Sequence, residues 1–514
     1  MASVADPQEN NPQKPNVVLI VMDDMGFSDP GCYGGEVETP NLNGLAKKGL
    51  RFTQFYNTGR CWPSRSCMMT GFYAQQVCMD PPDSETHYRP SWQRLLPHYL
   101  HQVGYRSYHS GKWHISNVQK PEEFGEFDIS WGTQIEQGKH FFGEEGEKKF
   151  SSTAITDHAL ECLRDHENNH SGTPFFHYVC YTAPHFPVQA EPEDIDKYRR
   201  RYDEGWDIMR ERRWQRLREM GIVNCPLSER ESDVKAPWYK DEYGERYGPG
   251  EIEYAVPWDS LTDEQKEFQA TKMAIHAGMV DRTDREIGRL LDQLREMNVY
   301  DDTLVLFLSD NGASAEIMIR AGGHDPMAPP GSETTHLCLG PGWSNCSNSP
   351  FRRHKIWVHE GGVATPMIAS WPSGIAARGE LRHDMGHCID FLPTILELAG
   401  IRPGDIPFPA DAPPLPGRSL APTFGEDDSI GHSHIFFHHS GNRALRIGNW
   451  KIVSASDSGP VGSMDDDWAL YNLSADRSEM NDLSKEKPDR CREMQEFWRE
   501  CEETYRQDAG KLPG

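Results

Sequence analysis

The chain has no apolar run near the roughly 20 residues that a bilayer crossing requires; the longest are Val17 to Met22 and Leu304 to Leu308. None of its 12 cysteines forms a C-x-x-C pair, so zinc ribbons and thioredoxin-like redox motifs have no support. Basic charge is scarce: 53 Lys and Arg against 79 Asp and Glu leave a net charge of −26. Such a surface repels nucleic acid and anionic lipid, and a polyanionic ligand would need a local cationic pocket. There is no internal repeat and no long low-complexity tract. Met1 to Lys14 has no basic stretch followed by an apolar one, so no signal peptide is expected there; either the protein is cytosolic or a leader was removed and replaced. What is present is 514 residues, 37% apolar and 26% charged, with 45 Gly and 37 Pro. That describes a globular, loop-rich, soluble chain of two or three domains at roughly 150 residues each.

After the polar tail, Asn16-Val-Val-Leu-Ile-Val-Met reads as a buried strand, because its apolar run is unbroken and shows no period-2 alternation. It ends in Asp23-Asp24. Thr303-Leu-Val-Leu-Phe-Leu-Ser reads the same way and ends in Asp310-Asn311. In α/β proteins the functional crevice lies beyond the carboxyl ends of the strands, so these two ends are expected to be neighbours. Helical spacing predicts a long helix over 265–297 and another over 390–400, closed by Gly400. The Pro-rich stretch 402–416 reads as a linker. Beyond it, 444–453 and 468–473 suggest antiparallel strands, and Cys491, Met494, Phe497, Trp498, Cys501 and Tyr505 form a helical stripe. The expected organisation is a flexible tail (1–14), a catalytic α/β domain (15–424) and a smaller α+β subdomain (425–514).

The sharpest segment is Cys61-Trp-Pro-Ser-Arg65-Ser-Cys-Met-Met-Thr70-Gly71. A lone Cys is more often a buried thiol than a nucleophile. The whole segment, however, resembles the C-x-P-S-R-x-x-x-x-T-G signature of type I sulfatases at every fixed position. Gly104-Tyr-Arg-Ser-Tyr-His-Ser-Gly-Lys112-Trp-His114 is similar to the second diagnostic sequence of that family. The resemblance implies an alkaline-phosphatase-like fold, with a central mixed sheet flanked by helices. It implies that a formylglycine-generating or anaerobic sulfatase-maturating enzyme oxidises Cys61 to Cα-formylglycine. The hydrated aldehyde would then hydrolyse a sulfuric ester through a sulfo-enzyme intermediate. A gem-diol suits this chemistry: one oxygen attacks sulfur, and deprotonation of the other collapses the resulting sulfate hemiacetal.

Asp23, Asp24 and Asp310 bring three carboxylates, and clustering them unneutralised would be costly through like-charge repulsion. With the Asn311 carbonyl they form an all-oxygen set that selects a hard ion, Ca²⁺ or Mg²⁺, over zinc. Taken singly, each pair reads equally as a strand-end turn or a helix cap. The resemblance adds position 61 to the metal ligands. It also implies that Lys112 and Lys355 bind sulfate oxygens and that Arg65 neutralises charge. His114 would hold or deprotonate the formylglycine hydroxyl, and a cationic His185, in Thr182-Ala-Pro-His185-Phe-Pro, would bind substrate and protonate the leaving oxygen. Lys355 lies just upstream of Glu360-Gly-Gly; His354 and His359 have no assigned role.

The basic run Lys197 to Arg218 is read either as a contact for further sulfates or as an exposed helix whose interleaved acids pair locally. Trp206, Trp214, Trp343 and Trp357 are candidates for stacking on sugar rings. A bacterial, exported sulfatase acting on a sulfated glycan is what the family resemblance suggests. Two rivals stand beside it: a phosphonate monoester or phosphodiester hydrolase of the same superfamily, and a catalytically silent, metal-dependent carbohydrate-binding protein.

Overall fold

The computed structural model describes residues 14–80, 89–115, 121–124, 126–132, 140–142, 148–320, 323–427, 430–455 and 467–510. The expected tail lies outside these residues except for Lys14. In chain order the strands are β1 (Asn16–Met22), β2 (Leu50–Tyr56), β3 (Arg106–Gly111), β4 (Ile129–Trp131), β5 (Phe141–Phe142), β6 (Lys149–Phe150), β7 (Phe175–Cys180), β8 (Thr303–Ser309), β9 (Ala364–Ser370) and β10 (Glu380–His387), followed by β11 (Ile435–His439), β12 (Asn442–Ile447), β13 (Trp450–Ser454) and β14 (Ala469–Asn472).

Eight of them form one mixed sheet in the order β10-β2-β9-β8-β1-β7-β3-β4. The unbroken apolar run of β1 has a direct cause. Val18, Ile20 and Met22 enter one hydrophobic core, while Val17, Leu19 and Val21 enter another. Both sheet faces are covered, so neither set of side chains can be polar. β1 pairs in parallel with both β7 and β8, and β3 continues the parallel set beside β7. Their carboxyl ends therefore share one edge, and Asp23-Asp24, Asp310-Asn311, Lys112 and Thr182 to His185 all emerge there. β9 runs antiparallel to β8 and to β2. The start of β9, just after Glu360, and the end of β2, just before Cys61, consequently reach the same edge.

The long helix is Asp263–Glu296, opened by a Thr262/Gln265 capping box and packed on the sheet through Ile287, Leu290, Leu291 and Leu294. The helix Phe391–Leu398 ends by Gly400, whose φ is +92°. β11 to β14 form a separate antiparallel sheet covered by the helix Pro488–Asp508. Tyr73 stacks on Tyr505 at 5.1 Å, and Phe436 on Trp498 at 5.3 Å, inside the core that also contains Met68 and Phe391. One hydrophobic core thus continues across the boundary expected near 425.

Buried charge also crosses that boundary. Lys451 Nζ lies 2.9 Å from Glu360 Oε1 and 2.9 Å from Glu479 Oε1. Arg477 Nε donates to Glu360 Oε2 at 2.8 Å, and the Tyr56 hydroxyl donates to the same oxygen at 2.9 Å. The second sheet therefore grips the turn that follows Lys355. All twelve cysteines are free and buried, and among the described residues no helix is long and apolar enough to cross a membrane.

Candidate active site

The fixed residues of the Cys61 segment each have a visible structural task. Cys61 opens the helix Cys61–Thr70, with Arg60 extended before it. The Ser64 hydroxyl accepts the Thr58 amide at 3.1 Å and donates to the Arg60 carbonyl at 2.7 Å, which locks the turn into the helix. At the other end Thr70 Oγ1 accepts the Phe72 amide at 3.3 Å. Gly71, at φ +75°, sends its amide to the Cys67 carbonyl at 2.9 Å. Only a residue at ease in the left-handed region closes a helix in this way. Arg65, fully buried, leaves the first helical turn toward Asp310: its Nε donates to Oδ2 at 2.8 Å, and Nη1 donates to the Lys112 carbonyl at 3.0 Å.

Lys112 follows β3, and its backbone is fixed by an amide bond to the Cys180 carbonyl at 2.9 Å. The preceding Gly111 has φ +106°, and a Cβ there would stand 2.1 Å from the Cys180 carbonyl oxygen, so glycine is obligatory. The Lys112 ammonium pairs with Asp23 Oδ2. Lys355 Nζ donates to Asp24 Oδ1 at 2.6 Å and Oδ2 at 2.9 Å, and lies 3.4 Å from Glu316 Oε2. Asn311 Nδ2 donates to Asp24 Oδ1 at 2.7 Å. Cys61 is 2% exposed and directly follows Arg60. The two lysines expected on sulfate are thus paired with two of the expected metal ligands. Buried carboxylates take whatever cation is in reach.

Burial opposes charge on all three aspartates, and their neighbours decide the outcome. Asp23 is nonetheless held at about 2 by Lys112, Arg65 and Lys355. Asp310 is pushed up to about 8 by burial and by Asp23, against the pull of Arg65. Asp24 is also raised, by burial above all, despite Lys355. Asp23 Oδ1, Asp310 Oδ1 and Asn311 Oδ1 are buried oxygens that no donor reaches. Asp23, Asp24 and His185 each offer a ligand atom, all within 4.8 Å of one another. Orphaned oxygens beside underneutralised carboxylates fit a hard cation.

Both expected catalytic histidines sit among cations. Burial, then Lys112 and Arg65, push His114 well below the usual imidazole range, so its ring is neutral. Burial, then Lys355 and Lys112, do the same to His185, which counts against the cationic state expected of it. His185 Nδ1 donates to the Phe186 carbonyl at 2.5 Å, which leaves Nε2 facing Asp24 Oδ2 at 3.8 Å.

Three supporting residues escaped sequence reasoning. His140 Nε2 donates to the His185 carbonyl at 2.8 Å and so pins the segment bearing that ring. Glu316, with a fully buried side chain, joins Lys355 to Arg60, whose Nη1 is 3.1 Å from Glu316 Oε1. Burial works against the Glu316 carboxylate, but Arg60 and Lys355 hold it well below its usual range. Trp238 donates its indole N–H to the same Oε1 at 2.8 Å.

Other candidates are absorbed by structure. In the basic run, Arg213 is buried between Asp29 Oδ1 and Glu36 Oε1, each at 2.7 Å, and Arg210 donates to the Ser228 carbonyl at 2.7 Å. Lys197, Arg199 and Arg212 pair with neighbouring acids. Lys197, Arg199, Arg200, Arg201, Arg212 and Arg218 are exposed, as an exposed, locally paired stretch requires, and only Arg210 and Arg213 turn inward. Trp206, Trp343 and Trp357 are fully buried, while Trp214 is half-buried, tied to the Cys225 carbonyl at 2.9 Å and covered by the Arg218 guanidinium at 4.9 Å from its ring centre. His354 is buried with its Nδ1 2.9 Å from Ser344 Oγ, a packing role.

Comparison with known proteins gives a consistent result. The family model described as Sulfatase matches residues 15–401. An uncharacterized sulfatase of Schizosaccharomyces pombe is 30% identical over 546 residues, covering 95% of this chain and 93% of its own length. An arylsulfatase of Klebsiella aerogenes is 28% identical, covering 80% and 92%. An N-acetylglucosamine-6-O-sulfatase of Bacteroides thetaiotaomicron is 26% identical, covering 99% and 89%. A solved structure described as in complex with its substrate, D-glucosamine-2-N,6-O-disulfate, superposes with a TM-score of 0.64 over 96% of this chain and 98% of that one; at 20% identity this speaks to the fold.

Proposed function

The chain belongs to the sulfatase family and is a sulfatase enzyme, and from that premise we propose that it removes sulfate from an O-sulfate ester of a carbohydrate, with position 61 oxidised to Cα-formylglycine. The observation that carries the reading is convergence. Cys61, Arg65, Lys112, His114, His185, Lys355, Asp23, Asp24, Asp310 and Asn311 come from distant parts of the chain to one edge of the sheet. A carbohydrate substrate is supported by the relative named for an N-acetylglucosamine 6-O-sulfate. Formylglycine, once formed by a maturating enzyme, would supply a hydrated aldehyde as the nucleophile. Asp23, Asp24, Asp310 and Asn311 would hold Ca²⁺ or Mg²⁺, which would supply the positive charge that Asp23 and Asp24 otherwise draw from the two lysines.

The chain's own residues then have defined tasks. Lys112 and Lys355 bind sulfate oxygens, and Arg65, anchored on Asp310, keeps the site electropositive in a water-poor setting where fixed charge acts strongly. His114, neutral among cations, accepts a proton from the hydroxyl at position 61. His185 donates through Nε2, the nitrogen that faces the site. Its surroundings disfavour the cation, and the negative charge of a bound sulfate ester acts in the opposite sense, so its protonation is coupled to substrate binding. The expected export of the protein is part of the same proposal.

The test is mass spectrometry of the peptide bearing position 61, from full-length protein coexpressed with a formylglycine-generating enzyme, with parallel assay on an aryl sulfate and added Ca²⁺. An aldehyde with sulfate release supports the reading. An unmodified thiol would favour the silent binder, and an aldehyde without sulfate release would redirect attention to phosphonate and phosphodiester substrates.

A further inference from the structure

We propose that Trp238 is a stacking platform for the leaving group, so that this sulfatase selects sulfate esters whose alcohol carries a six-membered ring, either a pyranose or an arene. The proposal rests on the sulfate-ester reading and deepens it by naming what lies on the far side of the ester oxygen.

Of the 14 tryptophans, Trp238 alone is exposed, at 46%. A single exposed ring is ordinary in itself, but this one is held in place rather than left loose. Its indole N–H donates to Glu316 Oε1 at 2.8 Å. Its backbone sits at φ +64°, a conformation that a side chain as large as Trp adopts only under constraint. The constraint is visible: the Ile317 amide donates to the Pro237 carbonyl at 3.1 Å, and the Ala236 amide to the Glu253 carbonyl at 2.7 Å.

Glu316 fixes where that ring lies relative to the chemistry. Its Oε2 is 3.4 Å from the Lys355 ammonium, which in turn bonds Asp24, and its Oε1 is 3.1 Å from Arg60, the residue before Cys61. The Arg60 guanidinium also lies 5.0 Å from the centre of the Trp62 ring, and Trp62 meets His114 edge-on at 5.6 Å. One buried carboxylate therefore ties an exposed indole to the sulfate-binding lysine and to the turn that carries the nucleophile. The fully buried Glu316 carboxylate accepts hydrogen bonds from Arg60, Trp238 and Ser314 and pairs with Lys355, so it positions these groups and does not receive substrate. An aromatic face beside an anion site does nothing for a bare sulfate or a short acyclic ester. It complements a ring that presents C–H bonds or a π face.

The experiment compares matured full-length enzyme with Trp238→Ala and Trp238→Phe on three esters: 4-nitrophenyl sulfate, a monosulfated hexosamine and propyl sulfate. Trp238→Ala is expected to lower the kcat/KM ratio of ring ester to propyl sulfate roughly five- to tenfold, chiefly through KM, and Trp238→Phe to restore most of it. Loss confined to the nitrophenyl ester identifies an arene site, loss confined to the hexosamine a pyranose site, and loss on both a general ring platform. An unchanged ratio, or equal loss on propyl sulfate, overturns the proposal. Calorimetric binding of the same ring esters to the unmatured Cys61 protein separates this from the catalytic reading. If the matured wild type turns over no sulfate ester, the hydrolase reading fails, and Trp238 is judged by whether its Ala variant binds the ring esters several-fold more weakly than the parent; equal binding overturns it.

Discussion

Removing the Lys451 ammonium should destabilise the fold in a pH-dependent way. In Lys451→Met, Glu360 and Glu479 lose a cation that sits 2.9 Å from each, in a place where all three side chains are fully buried. At an effective dielectric of about 20, each lost attraction amounts to roughly 6 kcal/mol. The full sum is never reached, because Glu479 can escape by taking a proton. Burial and Glu360 already hold it at about 6 with Lys451 in place, so near pH 7 that escape is cheap. Arg477, still 2.8 Å from Glu360, keeps part of the remaining charge paired. The expected loss is therefore about 3–5 kcal/mol, the usual consequence of breaking a buried pair. A carboxyl whose folded pKa lies above its unfolded value contributes stability at low pH and loses it as pH rises through the folded value. Removing Lys451 raises Glu479 further, so the deficit relative to the parent should grow from pH 5 to pH 8. Urea unfolding of the full chain at those two pH values measures it. A deficit below about 1 kcal/mol, or one equal at both pH values, would falsify the argument that this cluster is electrostatically closed.

Three further outcomes are expected. His140 and His354 are held at about 4 and His109 and His387 at about 3, burial being the main cause in each, so below pH 6.5 the unfolded chain takes up protons that the folded chain refuses. Stability should fall as pH drops from 6.5 toward 4, by up to roughly 1.4 kcal/mol per pH unit for each such ring; a urea midpoint that stays flat between pH 7 and pH 5 would contradict this. Ca²⁺ should raise the thermal midpoint and EDTA reverse it, with about 2.7 kcal/mol gained at a hundredfold excess over Kd; Asp310→Asn should blunt the response, and an identical response in that variant would remove Asp310 from the ligand set. Arg213→Met strands Glu36 in the core and leaves Asp29 only His276 and the Gly26 amide, and should cost about 3–5 kcal/mol by urea titration, whereas a loss near zero would mean that water reaches Glu36.

A chain of net charge −26 can still serve an anion because its site is locally balanced. Asp23, Asp24, Asp310 and Glu316 face Lys112, Lys355, Arg65 and Arg60, four acids against four bases in contact, which cancel once a cation keeps Asp24 and Asp310 ionised. A divalent ion added to such a set turns a neutral pocket positive, and this local excess governs sulfate binding more than the distant surface does, because salt screens exposed charge over about 8–10 Å.

The same locality decides what could be read from sequence. β1 and β8 were legible because a strand buried on both faces must be apolar throughout, and their adjacency followed from both ending in acids. The Cys61 segment stood out as a signature, and the structure shows why its spacing is fixed: Ser64, Thr70 and Gly71 each perform a local backbone task. Glu316, His140 and Trp238 were not, since each acts through a contact with a residue far along the chain: Glu316 with Arg60, His140 with the His185 carbonyl, Trp238 with Glu316. No spacing rule reaches across such separations. Two of the tryptophans singled out in advance went the other way for a physical reason: Trp206 and Trp343 meet each other and Trp258 edge-to-face at 4.7–5.7 Å, and the three bury one another. Aromatic residues gain most by leaving water, and the one indole that stays exposed, Trp238, is fixed there by its bond to Glu316.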